Sequence, residues 1–194
     1  MIEFLRGRYI EKNPTNVVME CNGVGYFVNI SLYTFSKLGQ DESGMIYIHF
    51  VVREDAQLLY GFSSKEEREV YRKLISVSGV GPSTGMMIVS TYAPNEVTNI
   101  IASEDVNALK AVKGIGAKSA QRIIVDLKDK IGGIEINSEN STISNNTNKI
   151  EALSALASLG FDKKSAGKVL DQIIKTEGTD LAVEELIKLG LKRM

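Results

Sequence analysis

The sequence predicts a multi-domain α+β protein: a small β-barrel, a helical middle and a separate helical C-terminal domain. Three observations predict it. Short β-branched and aromatic runs fill the first 62 residues, apolar spacing turns helical from Ser63, and Gly132-Gly133 opens an Asn/Ser/Thr-rich stretch before helical spacing resumes. The 194 residues, 43% hydrophobic and 24% charged, have ordinary globular composition and enough length for one core or several small modules.

Residues 1–62 contain five candidate strands, at Ile2–Tyr9, Val17–Cys21, Gly25–Ile30, Met45–Val52 and Gln57–Phe62. Asn22-Gly23 is a tight-turn signal between the second and third. In the fourth, Ile46, Ile48, Phe50 and Val52 alternate with Tyr47, His49 and Val51. Five short strands in so few residues suggest a barrel of the OB type.

Residues 63–132 read as five helices. Ser64 is a candidate N-cap for Lys65–Val77, with Glu67 at the capping-box position. Helical stretches follow at Ser83–Tyr92, Asn95–Ala102, Glu104–Val112 and Lys118–Ile131. In the last, Ala120, Ile123, Ile124, Leu127 and Ile131 form one apolar stripe. Residues 133–148 offer little to bury and read as a flexible linker. Residues 149–194 read as a small three-helix domain with Leu153, Leu156, Leu159, Phe161, Val169, Leu170, Ile173, Leu186 and Leu189 as its apolar set.

The sharpest signal is an internal repeat. Leu74-x-x-Val77-x-Gly79-Val80-Gly81 recurs 35 residues later as Leu109-x-x-Val112-x-Gly114-Ile115-Gly116, and Gly85, Ile88 and Val89 align with Ala120, Ile123 and Ile124. Each unit is a helix, a Gly-hydrophobic-Gly turn and a second helix, the helix-hairpin-helix pattern. The glycines permit a tight turn and close backbone approach, and the aliphatic residue between them plugs the gap. The following helix then presents unbonded N–H groups to a phosphate oxygen. Pro82 suits a first helical turn. Gly79, Val80, Gly81, Pro82 and Ser83, with Gly114, Ile115, Gly116 and Ala117, are therefore the candidate phosphate-binding residues. Lys113, Lys118 and Arg122 add charge. Gly-x-Gly turns also simply join packed helices, but two copies in matching register favour the phosphate reading.

Net charge is −1, so binding cannot rest on bulk positive charge. Residues 63–132, the most basic region, carry ten basic and eight acidic side chains. One Cys and one His exclude a disulfide framework and make a zinc site implausible; no metal or cofactor is expected. The N-terminus has no apolar leader and no apolar run approaches membrane-spanning length, so a cytoplasmic protein without membrane contact is expected.

Arg53-Glu54-Asp55-Ala56, between the last two strands, sets two carboxylates at an exposed turn. Taken alone, this reads as a solvated turn. On a DNA-binding surface, the same pair would repel phosphates and steer or separate strands.

The unbroken run HFVVREDAQLLYGF, His49 to Phe62, resembles the signature of the RuvA family of bacterial Holliday-junction proteins. Met1-Ile2, Leu5-Arg6-Gly7, Gly23-Val24-Gly25-Tyr26, both Gly-hydrophobic-Gly units and Ala155-Leu156-x-x-Leu159-Gly160-Phe161 fit that family in order. The resemblance implies an OB-type barrel, a tandem helix-hairpin-helix domain and a tethered three-helix, UBA-like domain. It also implies a homotetramer, or an octamer of two tetramers, on a four-way DNA junction, with Glu54 and Asp55 as an acidic pin at the centre. A RuvB-type ATPase would bind through Leu156, Leu159 and Phe161, and a RuvC-type resolvase would join the wider complex. Ser83 and Ala117 depart from the family, standing where relatives often carry a basic residue. The implied role is non-catalytic. The alternative is a repair nuclease or glycosylase built on the same hairpins, but Asp126 and Asp129 lie a turn too deep in their helix to serve it. A protein-interaction adaptor would leave the paired repeat unexplained.

Overall fold

The structure, a computed structural model, describes residues 1–131, 144–177 and 181–193. The chain divides into two compact units, Met1–Asn137 and Ser138–Met194.

The first unit begins with strands β1 (Phe4–Asn13), β2 (Asn16–Cys21) and β3 (Val24–Ile30), then helix α1 (Leu32–Leu38), β4 (Ser43–Val52) and β5 (Gln57–Phe62). They close a barrel in the order β1-β2-β3-β5-β4, with β3 and β5 parallel and the other pairs antiparallel. The barrel is of the expected OB type. Asn22 and Gly23 turn between β2 and β3 with φ of 52° and 84°, the left-handed conformation that a two-residue hairpin needs.

Helix α1 was not expected from the sequence. It has only seven residues, too few to show a helical period, yet it is anchored at its N-cap, where the Ser31 hydroxyl accepts from the Thr34 N–H at 2.9 Å.

β4 carries apolar residues on both faces because it serves two cores. Ile46 and Ile48 are fully buried inside the barrel with Val17, Met19 and Val28. Tyr47 and Val51, on the other face, pack with Tyr60 and Phe62 of β5 against the helical core. Val52, expected to share the face of Ile46, is exposed because β4 ends there at the turn.

That second core is built by α2 (Lys65–Ile75), α3 (Pro82–Thr91), α4 (Pro94–Ala102), α5 (Val106–Ala111) and α6 (Ala117–Ile131). The stripe Ala120, Ile123, Ile124, Leu127 and Ile131 is buried in it. Ser64 caps α2, accepting from the Glu67 N–H at 3.2 Å. The return bond of a capping box is displaced: the Glu67 carboxylate accepts instead from Ser63, Ser31 and Thr34.

The second unit packs α7 (Ser144–Ser158), α8 (Lys163–Glu177) and α9 (Val183–Arg193) around Ala152, Leu156, Ala166, Leu170, Ile173 and Leu186. The expected linker, 133–148, lies outside the described residues as far as 143. Its last five residues are helical, in α7, where the Asn148 side chain donates to the Leu181 carbonyl at 3.0 Å. Among the described residues, no helix is long and apolar enough to cross a membrane.

Candidate nucleic-acid interface

The two repeat units fold alike. In the first turn the Val80 N–H donates to the Val77 carbonyl at 3.0 Å; in the second the Ile115 N–H donates to the Val112 carbonyl at 3.1 Å. Gly79 and Gly114 both hold positive φ, 90° and 88°, which explains a glycine at each first position. Val80 and Ile115 are buried as the plugs between their helices.

The second glycines have a different reason. Gly81, the N-cap of α3, sits at φ −82° and ψ 171°, open to any residue. A Cβ added at Gly81 or at Gly116 would meet nothing within 4 Å. The fold therefore does not itself require a glycine at either position, and both remain exposed where an external group can approach closely.

The first helical rung of α3 runs from the Gly85 N–H to the Gly81 carbonyl at 2.9 Å. Its counterpart in α6 runs from Ala120 to Gly116 at 3.0 Å. The amides of Gly81, Ser83 and Thr84, and those of Gly116, Ala117, Lys118 and Ser119, precede these rungs. Each hairpin thus presents a cluster of N–H groups at the positive end of a helix dipole, the arrangement that suits a phosphate. Pro82 occupies the first turn of α3, where it sacrifices no bond.

Among the candidate cations, Lys113 and Lys118 are exposed beside the second turn. Arg122, also exposed, donates from Nη1 to the Ser78 carbonyl at 3.2 Å, so it ties α6 to the first turn. The repeats differ where Gly85 aligns with Ala120. A Cβ at Gly85 would lie 2.8 Å from Ile75 Cγ2 and 3.0 Å from the Tyr71 ring, so that helix accepts only glycine without rearrangement.

Glu54 and Asp55 lie at the exposed tip of the β4–β5 hairpin, which the Arg53 N–H closes by donating to the Ala56 carbonyl at 2.8 Å. His49, on the same hairpin, packs edge-on against Tyr71 with ring centroids 5.5 Å apart. Burial, reinforced by Arg72 and Arg68, pulls its pKa below the usual histidine value, while Glu3 and Glu69 act the other way.

The structure divides the three candidate motor contacts. Leu156 is fully buried in the core of the second unit, where it packs toward Gly190, so its assignment to a partner surface is corrected to core. Leu159 is 60% and Phe161 37% exposed, around Gly160, whose φ is 97°. A turn after a helix throws these two outward; the common apolar spacing of the sequence could not separate them from Leu156.

Sequence reasoning gave Glu67 only a capping-box position and missed that it and Arg68 are buried. Arg68 Nη1 donates to the Glu3 carbonyl at 2.8 Å and the Glu3 carboxylate at 2.7 Å, and to the Ile48 carbonyl at 3.3 Å. The only available signal was an acidic and a basic residue inside an otherwise amphipathic helix start.

Comparison with known proteins agrees with this architecture along its length. The family model described as RuvA N terminal domain matches residues 1–61, that described as SAM-like helix-hairpin-helix tandem matches 71–129, and that described as RuvA, C-terminal domain matches 150–194. A protein of Christiangramia forsetii is 54% identical over 194 residues, one of Porphyromonas gingivalis 48% over 203, and one of Flavobacterium psychrophilum 45% over 194, each with both chains covered in full. All three are named Holliday junction branch migration complex subunit RuvA. With all three parts matched in order and full-length relatives well above chance likeness, the chain belongs to the RuvA family.

Proposed function

We propose that this chain binds four-way DNA junctions as a homotetramer and serves as the non-catalytic, cytoplasmic subunit of a branch-migration complex. A RuvB-type ATPase supplies the motor, docking on Leu159 and Phe161, and a RuvC-type resolvase acts in the wider assembly. The observation that carries this reading is the pair of turns alike in hydrogen bond and φ, with exposed second glycines that the fold does not need. Gly79 to Ser83 and Gly114 to Lys118 grip phosphates through backbone N–H groups, so a chain of net charge −1 still holds DNA. Lys113, Lys118 and Arg122 supplement them. Nothing in this interface is built to read base edges, so sequence discrimination is slight.

Glu54 and Asp55 place eight carboxylates around the centre of a tetramer. There they disfavour a linear duplex and keep exchanging strands apart. The names of the relatives support junction binding and branch migration, and no observation favours a nuclease or glycosylase.

The test is an electrophoretic comparison of four-way, duplex and single-stranded DNA of matched sequence across a salt series. Preference for the four-way form supports the reading, and equal affinity for junction and duplex at moderate salt overturns it.

A further inference from the structure

Two residues, Ser63 and Ser64, join β5 to α2, so this short link is the covalent bridge from the barrel to the helical part of the first unit. Its polar groups converge on one side chain. The Glu67 carboxylate accepts from the Ser63 N–H at 3.1 Å and from the Ser63 hydroxyl at 2.9 Å. It also accepts from the Thr34 hydroxyl at 2.7 Å and from the Ser31 hydroxyl, both on or capping α1 of the barrel. Ser64 in turn accepts from the Glu67 N–H.

Glu67 is fully buried. Burial pushes its carboxyl pKa up, while the hydrogen bonds from Ser31, Thr34 and Ser63 pull it down. Four donors face its two oxygens, the Ser63 N–H and the hydroxyls of Ser31, Thr34 and Ser63; a carboxylate accepts from all four, whereas an amide there must turn at least one hydroxyl round to accept. A buried carboxylate is costly to keep, and α2 already has Tyr71 packed against His49, Tyr60 and Phe62 to hold it on the barrel. Adhesion alone therefore does not explain Glu67; a directional lock does.

The lock sits at one end of a lever. β5 runs six residues from the acidic turn to Ser63, paired with β4 throughout, a span of about 20 Å. A rotation of about 10° at the link would move the tip by about 3.5 Å on that span. That exceeds the tolerance of any hydrogen bond or close charge contact.

We infer that Glu67 is a positioning residue: by locking the Ser63–Ser64 link it fixes the angle between the hairpin that carries Glu54 and Asp55 and the two Gly-hydrophobic-Gly turns, and so sets the preference for four-way over linear DNA. This rests on the proposed junction-binding function.

The test uses the full chain in four forms: wild type, Glu67→Gln, Glu54→Gln with Asp55→Asn, and the triple variant. Circular dichroism and thermal melting confirm the fold of each, and dissociation constants are measured for a four-way junction and a linear duplex. Glu67→Gln should leave junction affinity near wild type, tighten duplex binding and so lower the junction-to-duplex ratio on the order of fivefold, the low end of ordinary coupling between sites. The triple variant should show no further loss beyond the double variant, because a misplaced pin and a neutral pin fail in the same way. Thr34→Val removes one donor with little change of shape and should move the ratio in the same direction by less; it is read by the same criteria if Glu67→Gln does not fold. A shift in the double variant without one in Glu67→Gln overturns the inference and leaves the function intact. So does additivity, which is what a merely structural loosening predicts. If the double variant leaves the ratio unchanged, the acidic pin is wrong and the positioning role falls with it.

Discussion

The Arg122 guanidinium of α6 donates to the carbonyl of Ser78, 44 residues earlier in the first turn, at 3.2 Å and so joins the two hairpins. One of its five N–H groups is spent on this bond, and the residue is exposed, which leaves the others available to a phosphate. Replacing Arg122 by Gln should weaken duplex binding and reduce the slope of log affinity against log salt by about 0.9, the value for one lost phosphate contact. Weaker binding with an unchanged slope, measured by titration at several salt concentrations, would make Arg122 a strut only.

The glycines of each turn should separate folding from binding. Gly79→Ala and Gly114→Ala force a side chain into positive φ and should each cost about 1–2 kcal/mol in stability. Gly81→Val and Gly116→Val meet open space and should melt near wild type while losing DNA affinity, because the added side chain blocks approach to the N–H cluster. Denaturation and gel-shift measurements on the four variants check this. A folded Gly116→Val protein with full affinity would remove the second hairpin from the interface.

Neutralising the tip of the β4–β5 hairpin with Glu54→Gln and Asp55→Asn should leave stability unchanged, since both side chains are exposed. Junction binding should be at least as tight as in wild type, and duplex binding tighter. A like-charge pair 4 Å apart costs about 1 kcal/mol in water and several times more where water is excluded, as at a crowded junction centre. Branch-migration rates with the motor should change as well. Identical affinities and rates across a salt series would return these residues to an ordinary solvated turn.

In the second unit, Leu156→Ala should destabilise the three-helix core by about 2–5 kcal/mol, as expected for a fully buried leucine. Leu159→Ala and Phe161→Ala should leave its melting temperature nearly unchanged but weaken association with the ATPase, while DNA binding stays intact. Calorimetry on each variant, with and without the motor, separates the two classes.

His49 is the only histidine in the chain, so its titration can be followed by itself. Its folded pKa lies below the unfolded value of about 6.5. The unfolded chain thus binds this proton first on acidification. His49 contributes stability that is fully present above about pH 6.5 and is lost as pH falls through the folded pKa. An imidazole NMR titration should show the lowered midpoint, and His49→Gln should remove this component from the pH profile of unfolding. A midpoint at or above 6.5 would contradict the lowering by burial, Arg72 and Arg68.

What the sequence determined by itself was local. A glycine with positive φ, a plug between two helices and a helix start are settled within a few residues, so the two hairpins were legible from their repeat, as was the apolar stripe of α6. The alternation along β4 likewise announced a strand with two apolar faces. The tertiary structure decided what depends on residues far apart. It closed the barrel through the parallel β3–β5 pairing and stabilised α1, whose seven residues are too short to signal a helix. It buried Leu156 while leaving Leu159 and Phe161 outside, though all three share one apolar spacing. Ser64-x-x-Glu67 read as a capping box because that motif is defined within one turn. In the fold, Ser31 and Thr34 approach from 36 and 33 residues away, and the Glu67 carboxylate turns to them because a buried charge is held where the most donors converge.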